Sequence, residues 1–152
     1  MKKILFAINT LNNGGAEKVL LTLLRYLDSK KYEIHLLVVF GEGIYFEQIP
    51  KYVRVTHIFP CKSKEATKEI REHAAKLYEQ YVKESYDVMV AFLEGPSTKI
   101  LSCCNDPMCR KYAWMHTNLK KRHRTAVFYK SFEEEKYAYS QYDKIVFVSE
   151  AI

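Results

Sequence analysis

Two loops of the sequence carry residue types suited to phosphate binding or proton transfer. The first, Asn12-Asn13-Gly14-Gly15-Ala16-Glu17, lies between an apolar run and an amphipathic helical pattern. Two glycines let a backbone approach a ligand closely, and the N–H groups at the start of a helix attract phosphate. The loop has neither the G-x-G-x-x-G dinucleotide motif nor the Gly-Lys-Ser/Thr of a P-loop. It therefore predicts either a phosphate-binding loop or a simple tight turn.

The second loop begins with His116-Thr117-Asn118, directly after the apolar run Ala113-Trp114-Met115. A histidine can donate or accept a proton, or form a hydrogen bond with a hydroxyl group. A lone histidine in a loop is usually an ordinary surface residue. This one follows a predicted strand, at the edge where α/β sheets bind ligands, so we interpret it as a candidate functional residue.

A basic tract, Lys120-Lys121-Arg122-His123-Arg124, lies just beyond this histidine, and no acidic residue occurs between Asp106 and Glu133. The whole chain carries a formal net charge of +6. Such a block favours an anionic partner, either phosphate groups, a membrane surface or nucleic acid, and its alternative is a solvated surface. We expect no nucleic-acid binding, because the sequence shows no aromatic stacking platform and no recognition helix.

The composition narrows the class of protein. Hydrophobic residues make up 48% and charged residues 28% of the 152 positions, as in soluble globular domains. No apolar run approaches the roughly 20 residues that span a bilayer, and the apolar stretch Ile4–Ile8 is too short for a signal peptide. The four cysteines lack the spacing of a zinc or disulfide framework. We therefore expect a cytoplasmic protein with buried or half-buried free thiols and no metal site.

Buried-strand patterns alternate with helical patterns along the whole chain. This alternation predicts a single domain over residues 1–152, with a doubly wound, mainly parallel, Rossmann-like α/β sheet. Ligands in such sheets bind beyond the carboxyl ends of the strands. That edge holds Asn9 to Gly15, Glu94-Gly95, His116 to Asn118 and Ser149-Glu150. Strands are predicted at 3–8, 33–40, 53–59, 87–93, 112–115 and 144–148, and helices at 16–27, 63–85, 96–105 and 125–142.

Four segments in this order resemble the N-terminal domain of family 4 retaining glycosyltransferases. The resemblance covers the whole chain and implies a GT-B fold, in which two Rossmann-like domains face each other across a cleft. This chain would be the acceptor-side half, and the C-terminal donor-binding domain has no counterpart in the 152 residues. We therefore expect the isolated chain to be inactive. The segments are Gly14-Gly15-Ala16-Glu17 with the leucine-rich helix after it, Tyr86–Phe92, Trp114–Thr117 and Tyr142–Glu150.

The resemblance also implies roles for individual residues. His116 would contact the donor sugar near its reacting carbon, and Gly14 and Gly15 would approach the donor diphosphate. Glu17 would lie near the acceptor or donor edge. Independently of the resemblance, the position of Asn9, Glu94, Thr117 and Asn118 at the ligand edge of the sheet predicts that they line the acceptor site or the cleft. The family usually requires no metal, and we expect no cofactor, because the nucleotide-sugar is a substrate. The implied activity is hexosyl transfer to a glycan or a lipid-linked acceptor, in bacterial surface-polysaccharide or lipid-linked glycan synthesis.

The resemblance gives the basic tract a place in this scheme. Many relatives act on lipid-linked acceptors at the inner face of the cytoplasmic membrane, which predicts a peripheral location. Lys120, Lys121, Arg122 and Arg124 would then hold a lipid pyrophosphate or anionic headgroups, each charge contributing about 1 kcal/mol near the surface. The residues alone leave another function open, that of a non-catalytic nucleotide- or phosphate-binding regulatory domain.

Overall fold

The computed structural model describes residues 1–116 and 124–147 of the chain. Within these residues, six strands form one sheet: β1 (Lys2–Ile8), β2 (Tyr32–Phe40), β3 (Arg54–Phe59), β4 (Val88–Ala91), β5 (Arg110–Met115) and β6 (Lys144–Phe147). The helices are α1 (Gly15–Tyr26), α2 (Lys64–Tyr81), α3 (Pro96–Leu101) and α4 (Phe132–Ser140), with 3-10 segments at Phe46–Gln48 and Arg124–Phe128.

The strands lie in the order β3-β2-β1-β4-β5-β6, and every neighbouring pair is parallel. This is the strand order of the Rossmann fold, so the predicted α/β class is confirmed. The order reverses between β1 and β4. The chain first adds β2 and β3 on one side of β1, and then crosses to the other side of β1 to add β4, β5 and β6. A reversal of this kind opens a crevice at the carboxyl ends of the two strands.

Both faces of the central strands are buried. In β1, Leu5 and Ala7 pack into the core formed with α2 and α3, whereas Phe6 and Ile8 pack into the core formed with α1. Successive side chains of a strand point to opposite faces, so a continuous apolar run is what a sheet covered on both sides requires. The apolar runs in the sequence therefore predicted the strands to within a few residues.

Helix α1 is rotated slightly from the expected orientation. The apolar spacing predicts an inner stripe that includes Val19, Leu20, Leu23 and Leu24. Leu20 and Leu24 are buried and Leu23 packs partly buried against the core, whereas Val19 is 49% exposed and Leu21 is buried at 3% exposure. Leucines on adjacent positions of α1 offer two overlapping apolar stripes, and the helix packs with Leu20, Leu21 and Leu24 inward. The rotation brings Glu17 to a buried position, at 7% exposure.

The predicted continuous helix over 125–142 is wrong. The chain instead forms the 3-10 segment Arg124–Phe128 and then α4, which begins after Ser131. Ser131 caps α4, because its Oγ accepts a hydrogen bond from the Glu134 N–H at 3.1 Å. The buried Lys99 Nζ binds the Phe128 carbonyl oxygen at 2.8 Å, an acceptor that a continuous helix would have used itself. None of the described helices is long and apolar enough to cross a membrane.

The other predicted bounds shift by smaller amounts. Helix α2 ends at Tyr81 rather than at residue 85, α3 ends at Leu101, and β4 is limited to Val88–Ala91. The thiols of Cys104 and Cys109 are buried and that of Cys103 is half-buried, as expected, but Cys61 is exposed.

Candidate functional site

The carboxyl ends of β1, β4 and β5 bring three predicted site residues to one edge of the sheet. Asn9 follows β1, Glu94 lies three residues beyond β4, and His116 follows β5. β1 pairs with β4 and β4 with β5, so these chain segments are neighbours. The site therefore surrounds the crevice where the strand order reverses.

Glu94 joins these strand ends through both its backbone and its side chain. Its carbonyl oxygen accepts a hydrogen bond from Asn9 Nδ2 at 2.8 Å, and its Oε2 accepts one from the His116 backbone N–H at 2.9 Å. A carboxylate that accepts a backbone N–H makes a comparatively strong, short hydrogen bond. The side chain is only 6% exposed. Glu94 therefore holds His116 in place at the end of β5.

The Asn9 side chain braces β1 against α3. Its Oδ1 accepts hydrogen bonds from the Ser97 backbone N–H at 3.1 Å and from Ser97 Oγ at 2.6 Å, while its Nδ2 binds Glu94. Gly95, between these partners, has a φ of +105°, which disfavours any residue with a side chain. Both ends of the Asn9 amide are thus used within the protein. Its geometry gives Asn9 a positioning role at the crevice, and its predicted place in the acceptor site or cleft stays a prediction.

The imidazole of His116 packs among aromatic rings but leaves one nitrogen without a partner. Its ring centroid lies 5.1 Å from that of Phe92 and 6.3 Å from that of Trp114. Among the described residues, the buried Nε2 has no hydrogen-bond partner. A buried polar group without a partner costs about 1–3 kcal/mol. His116 therefore holds a hydrogen-bonding position that a ligand hydroxyl group can satisfy.

Glu17 folds back over the glycine loop. A Cβ atom on Gly14 would lie 2.6 Å from Glu17 Oε1, so the carboxylate covers Gly14 closely. Burial raises the pKa of Glu17, and the hydrogen bond with its own backbone N–H, together with nearby His116 and Lys62, partly opposes the rise. Its electrostatic interaction with His116 places Glu17 near that histidine.

Gly15 leaves open space at the start of α1. A Cβ atom at this position would meet no heavy atom within 4 Å. Gly14 is the N-cap residue and supplies no side-chain cap, and of the first N–H groups of α1 that of Glu17 is bonded by its own carboxylate. Such groups, with the positive end of the helix dipole, suit a phosphate. This geometry agrees with a phosphate-binding loop, and phosphate binding here stays a prediction.

The loop after β2 supports the glycine loop, a role that no sequence pattern predicted. Gly43 has a φ of +135°, and a Cβ atom there would lie 2.1 Å from the Leu11 carbonyl carbon. The Leu11 N–H donates to the Glu42 carbonyl oxygen at 2.9 Å, and Tyr45 Oη donates to Asn13 Oδ1 at 2.7 Å. The two glycines of Gly41-Glu42-Gly43, directly after a buried strand, were the available signal.

Several predicted residues lie outside the described part of the chain: Thr117, Asn118, Lys120, Lys121, Arg122, Ser149 and Glu150. Arg124, the last residue of the basic tract, is exposed at the start of its 3-10 segment. Val127 is 54% exposed, whereas Tyr129 is buried at 5% exposure. Of these two side chains, only that of Val127 can offer an exposed apolar contact beside the tract.

A polar cluster at the opposite, amino-terminal edge of the sheet has ligand atoms suited to a metal. Potential ligand atoms of Glu33, His35 and Glu84 lie within 4.8 Å of one another. They are already bound: His35 Nε2 faces Glu33 at 3.0 Å, His35 Nδ1 is 2.9 Å from Arg54 Nη2, and Arg54 pairs with Glu84. Desolvation, with Arg54 close by, lowers the pKa of His35. The cluster is an ion-pair network around a neutral histidine.

The comparison with known families agrees with this architecture. Residues 13–152 match the family described as Glycosyltransferase Family 4. No curated protein matches the chain. The matched range contains Gly14, Gly15, Glu17, Glu94 and His116, and the all-parallel sheet is the one expected of an N-terminal GT-B domain. The chain therefore belongs to glycosyltransferase family 4, with the Rossmann-like fold of an N-terminal GT-B domain.

Proposed function

We propose that the complete protein transfers a hexosyl group from a nucleotide-sugar to a hydroxyl group of a glycan or lipid-linked acceptor. Family membership makes it a glycosyltransferase. The donor, the acceptor, retention of stereochemistry and independence of metals belong to the proposal. In this scheme the chain supplies the acceptor side of the cleft, and a second domain binds most of the donor.

The buried Nε2 of His116, which has no hydrogen-bond partner in the described part of the chain, carries this proposal. It lies in the crevice where Rossmann-like sheets bind ligands, and Glu94 holds the backbone of the residue in place. A sugar hydroxyl group can donate to or accept from a neutral imidazole nitrogen, so a bound hexose would supply the missing partner. His116 would thus orient the sugar at its reacting carbon.

In this proposal, backbone N–H groups at the start of α1 stabilise the negative charge of the leaving nucleoside diphosphate. Transfer breaks the bond between the sugar C1 and a diphosphate oxygen and forms a bond from C1 to the acceptor hydroxyl oxygen. The hydroxyl proton passes to the departing diphosphate, on which negative charge develops. Backbone N–H groups aimed at such developing charge stabilise a transition state. Gly15 leaves this helix start accessible, since a Cβ atom there has no neighbour within 4 Å. Stabilisation by backbone groups is the basis on which we propose a metal-independent reaction.

We further propose that the protein acts at the inner face of the cytoplasmic membrane, in the synthesis of surface polysaccharide or lipid-linked glycans. The tract from Lys120 to Arg124 would contact anionic headgroups. Exposed Arg124, with Val127 at 54% exposure, adds a charged and an apolar contact at its described end. Binding to phosphatidylglycerol vesicles should weaken as salt is raised, because charges are screened over about 8 Å at physiological ionic strength.

The direct test is release of nucleoside diphosphate by the full-length protein. It is incubated with a panel of nucleotide-sugars and with membrane lipid extract as the acceptor source, and mass spectrometry detects the glycosylated product. We expect one donor to give both nucleoside diphosphate and a product heavier by one hexose. Tight nucleotide binding without any transfer would instead indicate the non-catalytic regulatory domain.

A further inference from the structure

A second cavity lies at the same edge of the sheet, beside the crevice. It is open to solvent, has a volume of about 540 Å³ and is bordered by the end of β2, the first two turns of α2 and the 3-10 segment Arg124–Phe128. This volume is within the range of small-molecule sites, which is about 300–1,000 Å³. Its lining residues are Phe40, Lys62, Ser63, Lys64, Thr67, Arg71, Val127 and Phe128.

The charges around this cavity have one sign. Lys62, Lys64 and Arg71 line it, and none of its described lining residues is acidic. None of these three side chains has a carboxylate oxygen within 4.0 Å among the described residues. Unpaired basic side chains around a concave surface concentrate positive potential there, which favours an anionic ligand. Phe40, Val127 and Phe128 add an apolar wall on which a sugar or an acyl group can lie.

Arg71 is held in place for such a contact. Its Nη1 donates to the Val127 carbonyl oxygen at 3.0 Å, and its own carbonyl oxygen accepts from Lys99 Nζ at 2.6 Å. A guanidinium group has five N–H donors, so this bond leaves donors free for a phosphate. The half-buried Arg71 is thus oriented, whereas Lys62 and Lys64 are exposed and can adjust to the ligand.

The cavity is connected to the crevice by specific contacts. The Phe40 N–H donates to the Asn9 carbonyl oxygen at 2.8 Å, which joins the ends of β1 and β2. The two carboxylate oxygens of Glu42 accept from the Lys62 N–H at 3.3 Å and from Asn12 Nδ2 at 3.5 Å. Lys62 also interacts electrostatically with Glu17. A molecule seated in the cavity would therefore lie next to the glycine loop.

We propose that this cavity binds a phosphate group of the acceptor, with Lys62, Lys64 and Arg71 as its ligands. The inference rests on the proposed function, because it assigns the acceptor side of the same cleft. It specifies the substrate class: the acceptor carries a phosphate or a pyrophosphate ester near the hydroxyl group that receives the sugar. The ester belongs either to a lipid or to a soluble phosphorylated sugar.

The test compares the full-length protein with its double variant Lys62→Gln/Lys64→Gln. Both replaced side chains are exposed, so we expect the fold to be preserved. The matched control is Lys68→Gln/Lys76→Gln, which removes the same charge from exposed positions of α2 outside the cavity. Inorganic pyrophosphate is titrated against each protein, and phosphatidylglycerol–phosphatidylcholine vesicles are used in a parallel sedimentation assay. Nucleotide-sugar turnover is measured on the same samples.

We expect the cavity variant to bind pyrophosphate about tenfold more weakly than the parent, and the control to bind like the parent. Parallel loss of vesicle binding in the cavity variant assigns the phosphate to a lipid, and unchanged vesicle binding assigns it to a soluble acceptor. Equal weakening in both variants, equal binding by all three proteins, or no binding by the parent at millimolar pyrophosphate would overturn the proposal. Turnover separates the two proposals: a protein that transfers sugar but fails the pyrophosphate test refutes only the cavity assignment.

Discussion

Replacing Gly15 with alanine tests the proposed donor site without destabilising the fold. Gly15 is the first residue of α1, it is exposed, and its φ is not positive. The added Cβ atom would meet no heavy atom within 4 Å, so the variant introduces no clash. The methyl group would nevertheless stand at the helix start, where we propose that the donor diphosphate approaches the backbone.

Gly15→Ala should raise the stability of the fold and lower the affinity for the nucleotide-sugar. A glycine-to-alanine change at a compatible helical position stabilises a protein by about 0.4–1 kcal/mol. In a domain of this size each kcal/mol shifts Tm by about 2–4 °C, so Tm should rise by about 1–4 °C. The KM for the nucleotide-sugar should rise about tenfold, which corresponds to about 1.4 kcal/mol of lost binding.

Gly14→Ala is the companion variant. Its Cβ atom would lie 2.6 Å from Glu17 Oε1, so the carboxyl group must move, and a small loss of stability is expected in place of a gain. Thermal unfolding and initial rates over a range of donor concentrations give both quantities for each variant. If Gly15→Ala raises Tm but keeps the parent's KM and kcat, the start of α1 does not bind the donor. A fall in Tm would refute the geometry at Gly15 itself.

Two further predictions concern the fold. Gly43→Ala should lower the free energy of unfolding by about 3 kcal/mol. This is the upper end of the cost of a disfavoured backbone conformation, since the added Cβ atom would also lie 2.1 Å from the Leu11 carbonyl carbon. A urea midpoint equal to the parent's would contradict this prediction. His35 has a lowered pKa, so its protonation opposes folding, and stability should fall as pH drops below about 6.5, by at most about 1.4 kcal/mol per pH unit. His35→Asn should flatten that part of the stability profile in urea titrations between pH 5 and 8, and an unchanged profile would assign the acid sensitivity to other groups.

The features of the fold that could be predicted were those that follow from local runs of apolar residues. The apolar runs around Ile8 and Val39 are long enough to be buried on both faces, so strand positions and the parallel sheet followed from them. Placing His116 at the carboxyl end of β5 required only the end of the run at Met115. The absence of a described partner for His116 Nε2 depends on the packing of three segments, and no local pattern shows it.

Features that depend on tertiary contacts were missed. No sequence pattern distinguishes Lys99 from other helix residues. Its Nζ nevertheless binds two backbone carbonyl oxygens and Glu134, and these contacts help to separate the 3-10 segment from α4, where one continuous helix was predicted. Lys64 and Arg71 were part of a predicted charged helix and Lys62 lay just before it, with no distinguishing motif. They line one cavity only because the 3-10 segment Arg124–Phe128 packs beside α2. Sequence spacing cannot indicate such a meeting of distant segments.

The effect of His116→Phe on sugar transfer by the full-length protein tests the central claim most directly. Phenylalanine keeps the ring packing against Phe92 and Trp114 and removes the buried nitrogen without a described partner. Tm should therefore equal or exceed that of the parent. If His116 orients the donor sugar, kcat/KM should fall about tenfold or more, since a lost hydrogen bond costs up to about 1.5 kcal/mol and misplaces the reacting carbon. A kcat/KM equal to the parent's, at equal or higher Tm, would show that His116 only packs and would contradict the account.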